Sequence, residues 1–130
     1  MHAKHADSDK LNDLSGLVIG CAFTVLNTLR AGFLEKVYEN TLAYELRASG
    51  ILVVQQCGVR VHCGEVVVGE YFVDLPVEDV LLVELKTVKA LDDPRRMQCI
   101  NYLKATGPQV CLLLNFGNTR MEIKRVVHGL

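Results

Sequence analysis

The sequence has no charge excess, no long apolar run, no paired cysteines and no low-complexity segment, and each absence removes a class of protein. Its 14 Lys+Arg nearly balance 15 Asp+Glu, for a formal net charge of -1. Bulk positive charge therefore cannot be what holds nucleic acid or a membrane, and any polyanion must be gripped locally. The opening MHAKHADSDK is polar, with no apolar h-region and no small-residue cleavage pattern, so it does not read as a signal peptide. The longest apolar-looking stretch, Gly16 to Leu26, falls short of the roughly 20 residues a membrane helix needs. A cytoplasmic protein with no membrane partner is expected. The five cysteines (Cys21, Cys57, Cys63, Cys99, Cys111) are odd in number and contain no CxxC pair, which fits reduced thiols better than a disulfide framework. Cys57, His62 and Cys63 cluster locally, but a zinc centre needs a fourth ligand that nothing nearby supplies, so they read as buried or half-buried thiols.

What is present is enough apolar material for one packed core: 50% hydrophobic against 22% charged residues in 130. The length accommodates one domain and not two, and we place it at residues 11–130 behind a polar tail of residues 1–10. The charges are unevenly distributed. Residues 1 to 85 carry 6 basic and 12 acidic side chains (6 − 12 = -6), and residues 86 to 130 carry 8 and 3 (8 − 3 = +5). That asymmetry hints at a carboxylate cluster near a cationic surface.

Apolar residues at Leu11, Leu14, Val18, Cys21, Val25 and Leu29 mark one face of a helix, with Asp9 as its cap. Past Ala31-Gly32 a second helix follows on Leu34, Tyr38, Leu42 and Leu46, stopped by Gly50. Four runs rich in β-branched residues, Ile51 to Val54, Val59 to Cys63, Val66 to Asp74 and Val80 to Lys86, read as a meander of strands. Asp93 as cap and Pro94 at the first helical position start a third helix that Gly107-Pro108 stops. Val110 to Leu114 reads as a strand covered on both faces, and Arg120 to Val127 as a last strand.

The chemistry concentrates in Asp74 and the run Glu84-Leu85-Lys86. Side chains alternate along a strand, so Glu84 and Lys86 share a face. Pairing through the turn at Pro76 to Asp79 brings Asp74 near Glu84, and two carboxylates, a backbone carbonyl and water suffice for a hard cation such as Mg²⁺. Lys86 could then orient a water or stabilise charge on a phosphate oxygen. On spacing alone an edge-strand ion pair explains Glu84 and Lys86 equally well. The apolar neighbours Val80, Leu81, Leu82, Val83 and Leu85 favour a buried strand, where an unpaired charge is costly. Glu35, beside the second helix's apolar stripe, could reach the strand ends or serve only the helix dipole. Gln98 and Tyr102, four apart, share one face of the third helix, which could meet a polar site or solvent. Lys89, Arg95 and Arg96 could approach phosphates.

At this point a set of ordered motifs stands out: Gly32-Phe33-Leu34-Glu35-Lys36-Val37-Tyr38, Leu42 to Arg47, Gly69-Glu70-Tyr71, Asp74, Val83-Glu84-Leu85-Lys86, Asn101 to Gly107 and Asn115-Phe116-Gly117. With them the chain resembles the small bacterial GxxExxY proteins, grouped with the PD-(D/E)XK nuclease superfamily, from about Leu11 to Val127. The resemblance implies an α/β (α+β) fold with a restriction-endonuclease-like core, a mixed central sheet flanked by helices in the order α-α-β-β-β-α-β-β. It also implies Asp74 and Glu84 as the acids of the motif, Lys86 as its lysine, and Glu35 as the helix glutamate that completes a metal site. Gln98 and Tyr102 look like the QxxxY element of RecB-like nucleases. Val73 stands where the motif has proline.

Two functions are then in competition. The first is a phosphodiesterase dependent on Mg²⁺ or Mn²⁺, cutting DNA or RNA with DNA favoured, with Asp74, Glu84, Glu35 and the Leu85 carbonyl as metal ligands, Lys86, Gln98 and Tyr102 in the catalytic site, and Lys89, Arg95 and Arg96 on nucleic acid. The second is a non-catalytic nucleic-acid-binding or protein-interaction module on the same scaffold. The binding module is expected as a homodimer, and the nuclease needs a second subunit or a partner to grip a duplex, because so small a domain offers few phosphate contacts.

Overall fold

The computed structural model describes residues 8–129. Helix α1 (Ser8–Leu29) buries Leu11, Val18, Ala22, Val25 and Leu26, the stripe that helical spacing requires. Residues 8–10, expected in a polar tail, belong to this helix, and Asp9 lies within it rather than ahead of it as a cap; residues 1–7 lie outside the described residues. By length and composition α1 could cross a membrane, which the shorter apolar stretch in the sequence did not suggest. Its buried stripe packs in the domain's own core.

Helix α2 (Glu35–Ala48) begins one residue later than its apolar stripe suggests. Leu34 is the N-cap, with extended backbone (ψ 151°), and is 81% exposed rather than part of the core face. No side chain caps this end. Instead the buried Tyr38 hydroxyl donates to Arg30 O (2.6 Å) and accepts from Phe33 N (3.1 Å), tying the α1–α2 turn to the first turn of α2. The helix ends in a Schellman motif: Gly50 N–H reaches Arg47 O, Ile51 N–H reaches Leu46 O, and Gly50 takes the positive φ (+81°) this requires.

The expected meander is split between two sheets. Strands β1 (Cys57–Cys63) and β2 (Val66–Val73) form a separate antiparallel hairpin. β3 (Leu75–Val77), β4 (Leu81–Lys86), β5 (Val110–Asn115) and β6 (Glu122–Val127) form a mixed sheet in that order, parallel only between β4 and β5. The run expected as one strand from Val66 to Asp74 therefore ends at Val73, and the chain changes sheet at Asp74. Ile51 to Val54 is not a full strand but an edge segment with a single bridge, Val53 to Val77. Pro76 has no N–H to continue that ladder. The β3–β4 turn places Glu78 and Asp79 at φ +52° and +57°, the geometry of a type I′ hairpin turn.

Helix α3 (Asp93–Thr106) makes the crossover between the parallel strands. Its N-cap is Asp92, one residue before the expected Asp93; the Asp92 carboxylate accepts from Arg95 N (3.1 Å), and Pro94 falls within the first turn. Gly107 ends the helix at φ +97°. β6 starts at Glu122, two residues later than expected.

Strand alternation sorts the core into two layers. Leu81, Val83 and Leu85 pack with Val110, Leu112 and Leu114 against α1 and α2. Leu82, Cys111, Leu113 and Val126 pack against α3 and the base of the hairpin, through Cys99, Tyr102, Leu103, Val59 and Val73. Glu84 and Lys86 belong by alternation to this second layer.

Candidate functional site

The site is built where the two sheets part. β3 pairs with β4 up to Leu75↔Val83, which sets Asp74 opposite Glu84. Beyond that point the chain departs into the hairpin, and its backbone can no longer pair with Leu85. The Asp74 carboxylate takes over: Oδ2 accepts from Leu85 N (2.9 Å), while Glu84 Oε1 accepts from Asp74 N (2.9 Å). In a strand the C=O of a residue leaves on the same edge as its N–H, so the Leu85 carbonyl also faces this gap. The reciprocal bonds hold two carboxylates side by side at a strand edge.

Glu84 is only 3% exposed, on a central strand whose residues Leu81 to Leu85 are all buried. The edge-strand ion-pair reading is thereby excluded. Burial pushes the Glu84 carboxyl well above the ordinary range, and the neighbouring Asp74 charge pushes it further. Among the described residues no cation lies within ion-pair distance of Glu84 or Asp74. Lys86, half-buried and two residues along the same face, lowers the Glu84 carboxyl only as a minor opposing influence.

Glu35, at the N-terminus of α2, lies near enough for the Asp74 and Lys86 charges to act on it, but it does not converge with Asp74 and Glu84 into the three-carboxylate metal site that the resemblance implied. Burial raises its carboxyl, Lys86 opposes that, and Asp74 and Glu39 add to it. The Tyr38 hydroxyl holds the turn before it, and the Tyr38 ring stacks on Phe116 (centroids 4.8 Å apart), at the end of β5. Asn115 and Gly117 flank that ring and fix the chain after Lys86. The fully buried Asn115 amide bonds Val88 N (3.0 Å), Val88 O (2.9 Å), Gly117 N (2.9 Å) and Glu122 Oε1 (3.1 Å). A Cβ on Gly117 would stand 2.3 Å from Val88 O, so only glycine admits this close approach.

Two residues of the site were missed in the sequence. Glu39 is 3% exposed and accepts from Lys36 Nζ (2.8 Å), Gln55 Nε2 (2.8 Å) and Gln56 Nε2 (2.6 Å). Gln56 Nε2 also donates to Asp74 Oδ1 (3.0 Å), and Gln56 holds a left-handed backbone, φ +55°. Its amide thus links α2 to the Asp74 carboxylate. The available signal was the spacing of Glu35 and Glu39, four apart on one helix face.

On the α3 side, Tyr102 is buried and stacks on Tyr71 (centroids 4.3 Å apart). Burial raises both phenols and the Glu84 charge raises them further, and both pack in the layer that Glu84 faces. Gln98 is exposed and lines an open cleft with Lys86, Pro94 and Arg95. Arg95 is committed in part, pairing with Asp92 Oδ2 at 2.6 Å. Arg96 and Lys89 are exposed, and Lys89 O anchors the Asn118 side chain.

Among the described residues no three His, Cys, Asp or Glu side chains converge into a metal-holding group; Cys57 and Cys63 stand at opposite ends of β1, and Cys63 is exposed rather than buried or half-buried. A hard cation at Asp74 and Glu84 would rest on two carboxylates, a backbone carbonyl and water. The donor set fits one, because it is all oxygen and carries a buried carboxylate without a counter-charge.

Fold and site together define a class: a mixed sheet whose second central-strand residue pattern, Glu-x-Lys, faces an aspartate where the sheet opens. The model of the PD-(D/E)XK nuclease superfamily matches residues 12–126, and the chain belongs to that superfamily. The restriction-endonuclease-like fold expected from the sequence agrees with the mixed sheet and its flanking helices, with four strands rather than the expected three ahead of α3 because the chain breaks at Asp74 into β2 and β3. No curated protein and no solved structure gives a significant match to the chain.

Proposed function

We propose that the protein is a divalent-metal-dependent nuclease that hydrolyses phosphodiester bonds at the Asp74, Glu84, Lys86 site. The observation that carries this reading is the buried Glu84 carboxylate held against Asp74, charged groups that folding alone would replace by apolar ones. Asp74, Glu84 and the Leu85 carbonyl, with Glu35 at the rim, would hold Mg²⁺ or Mn²⁺. When bound, such an ion supplies charge stabilisation to the phosphoryl oxygens. Lys86 orients the attacking water and offers its ammonium to a non-bridging oxygen. Tyr102 packs beside Glu84 and Gln98 lies beside Lys86, where they position those two groups. Water attacks phosphorus in line, its oxygen forms the new P–O bond, and the ester oxygen leaves with a proton. Arg95 at the Lys86 cleft, with the exposed Lys89 and Arg96, would meet the flanking phosphates, with DNA favoured over RNA as substrate.

The test is a cleavage panel of single-stranded, duplex and branched DNA and RNA with Mg²⁺, Mn²⁺ or EDTA. Cleavage that needs the metal and falls by about 10²–10³ in Glu84→Ala and Lys86→Ala supports the reading. Cleavage that survives both substitutions, or no cleavage of any substrate, sinks it.

A second reading, a non-catalytic binding module working as a homodimer, is favoured by one observation. The hairpin exposes Val66, Val67, Val68 and Phe72, an apolar surface that the domain itself does not cover.

A further inference from the structure

One feature outside the acidic site is a cleft of about 540 Å³ between the β1–β2 hairpin and α3. Its walls carry Arg60 and His62 from β1, Tyr71 from β2, and Asn101 and Lys104 from α3. Three of these five can bear positive charge. The fourth wall group, the Asn101 amide, adds neutral hydrogen-bonding capacity, and the fifth is an aromatic ring. The cleft is connected to Glu84 by that ring, since Tyr71 stacks on Tyr102 and both lie within reach of the Glu84 charge. It is also connected to the Lys86 cleft along the helix. Gln98, Asn101 and Ala105 recur at i, i+3 and i+7, so one face of α3 runs from the first cleft to the second.

We propose that the cleft between the hairpin and α3 guides a single-stranded segment of nucleic acid to the Asp74–Glu84 site, with Lys104, His62 and Asn101 on its phosphates and sugars. This rests on the nuclease reading for its destination but not for its contacts. A cleft that combines cations with an aromatic wall suits one strand, whose unpaired bases can turn toward the ring, whereas a duplex keeps its bases stacked inside and leaves the ring nothing to meet.

Binding measured without divalent ions separates this proposal from cleavage. Fluorescence anisotropy of labelled dT and rU oligonucleotides of about 12 residues, against a blunt duplex of the same length, is read in EDTA across a salt series. The expected result is tighter binding of single strands than duplex. Lys104→Glu is expected to weaken single-strand binding about tenfold and to lower the salt slope by about 1. Asn101→Asp, which leaves the helix intact, is expected to weaken it less. Arg125→Glu, on the opposite face of the sheet, is the charge-matched control and is expected to change affinity little. Equal or tighter duplex binding, equal losses in Lys104→Glu and Arg125→Glu, or no single-strand binding at low salt overturns the proposal. Binding through the cleft without any cleavage would instead overturn the nuclease reading alone.

Discussion

β4 presents six residues to two different neighbourhoods. Leu81, Val83 and Leu85 enter an apolar layer beneath α1 and α2, whereas Leu82, Glu84 and Lys86 enter the layer beneath α3 and the hairpin. Burial does not distinguish them, since Glu84 is nearly as inaccessible as Leu85. The cost of burial does. Leu85 gains from leaving water, but Glu84 keeps a carboxylate there with a second one beside it and a raised pKa as the consequence. One face of the strand holds the domain together, and the other carries a charge that stability does not require.

The largest expected effects cross this divide. Leu85→Ala should destabilise the domain by about 2–5 kcal/mol, by denaturant unfolding, while the rate of surviving folded protein changes little. Glu84→Gln should do the reverse: metal-dependent cleavage falls by about 10²–10³, and stability at neutral pH is unchanged or increased. Equal destabilisation by the two substitutions would show that Glu84 is a structural residue and break the comparison.

A pH series sharpens it further. The Glu84 carboxyl is raised in the folded protein, so the native state holds that proton to higher pH than the unfolded chain does. Stability from this group is complete below the ordinary carboxylate range and is lost as pH rises through the raised folded value. Glu35 acts in the same direction. Unfolding free energy in EDTA should therefore decline over that window in the wild type and decline less in Glu84→Gln. Mn²⁺ should restore stability at the upper end in the wild type only, because an ion bound to the folded state stabilises it in proportion to its occupancy. An identical pH profile in the two proteins would remove the buried charge from the account.

The apolar layer was legible in the sequence because periodicity is a direct record of burial. The stripes of α1, α2 and β4, and the wholly apolar β5, appear in the structure nearly as read. The acids Asp74 and Glu84 and their adjacency were legible for the same reason: alternation and one turn sufficed. Three features were not. The change of sheet at Asp74 leaves no mark in a run of strand-forming residues, because Val73 and Leu75 suit either sheet. Gln56 meets Asp74 from 18 residues away and Glu39 from 17, and such pairings follow from packing rather than local pattern. The cap of α3 slipped by one residue because Asp92 and Asp93 are chemically identical, and only the backbone selects between them.

Tyr38 tests how sharply the two layers are separated, and its expected effect is the smallest. It belongs to the apolar layer, stacked on Phe116, yet its hydroxyl holds the turn from which Glu35 projects. Tyr38→Phe keeps the ring and removes both hydrogen bonds, leaving Arg30 O and Phe33 N to find water at an exposed turn. The cost should be about 1–2 kcal/mol by thermal or denaturant unfolding. If the layers are separable, cleavage by the folded variant falls less than about tenfold, because Asp74, Glu84 and Lys86 are anchored by β3, β4 and the Asn115 amide instead. A loss as large as that of Glu84→Gln would mean that Glu35 is as necessary as the strand acids, and the site would then belong to both faces of the sheet.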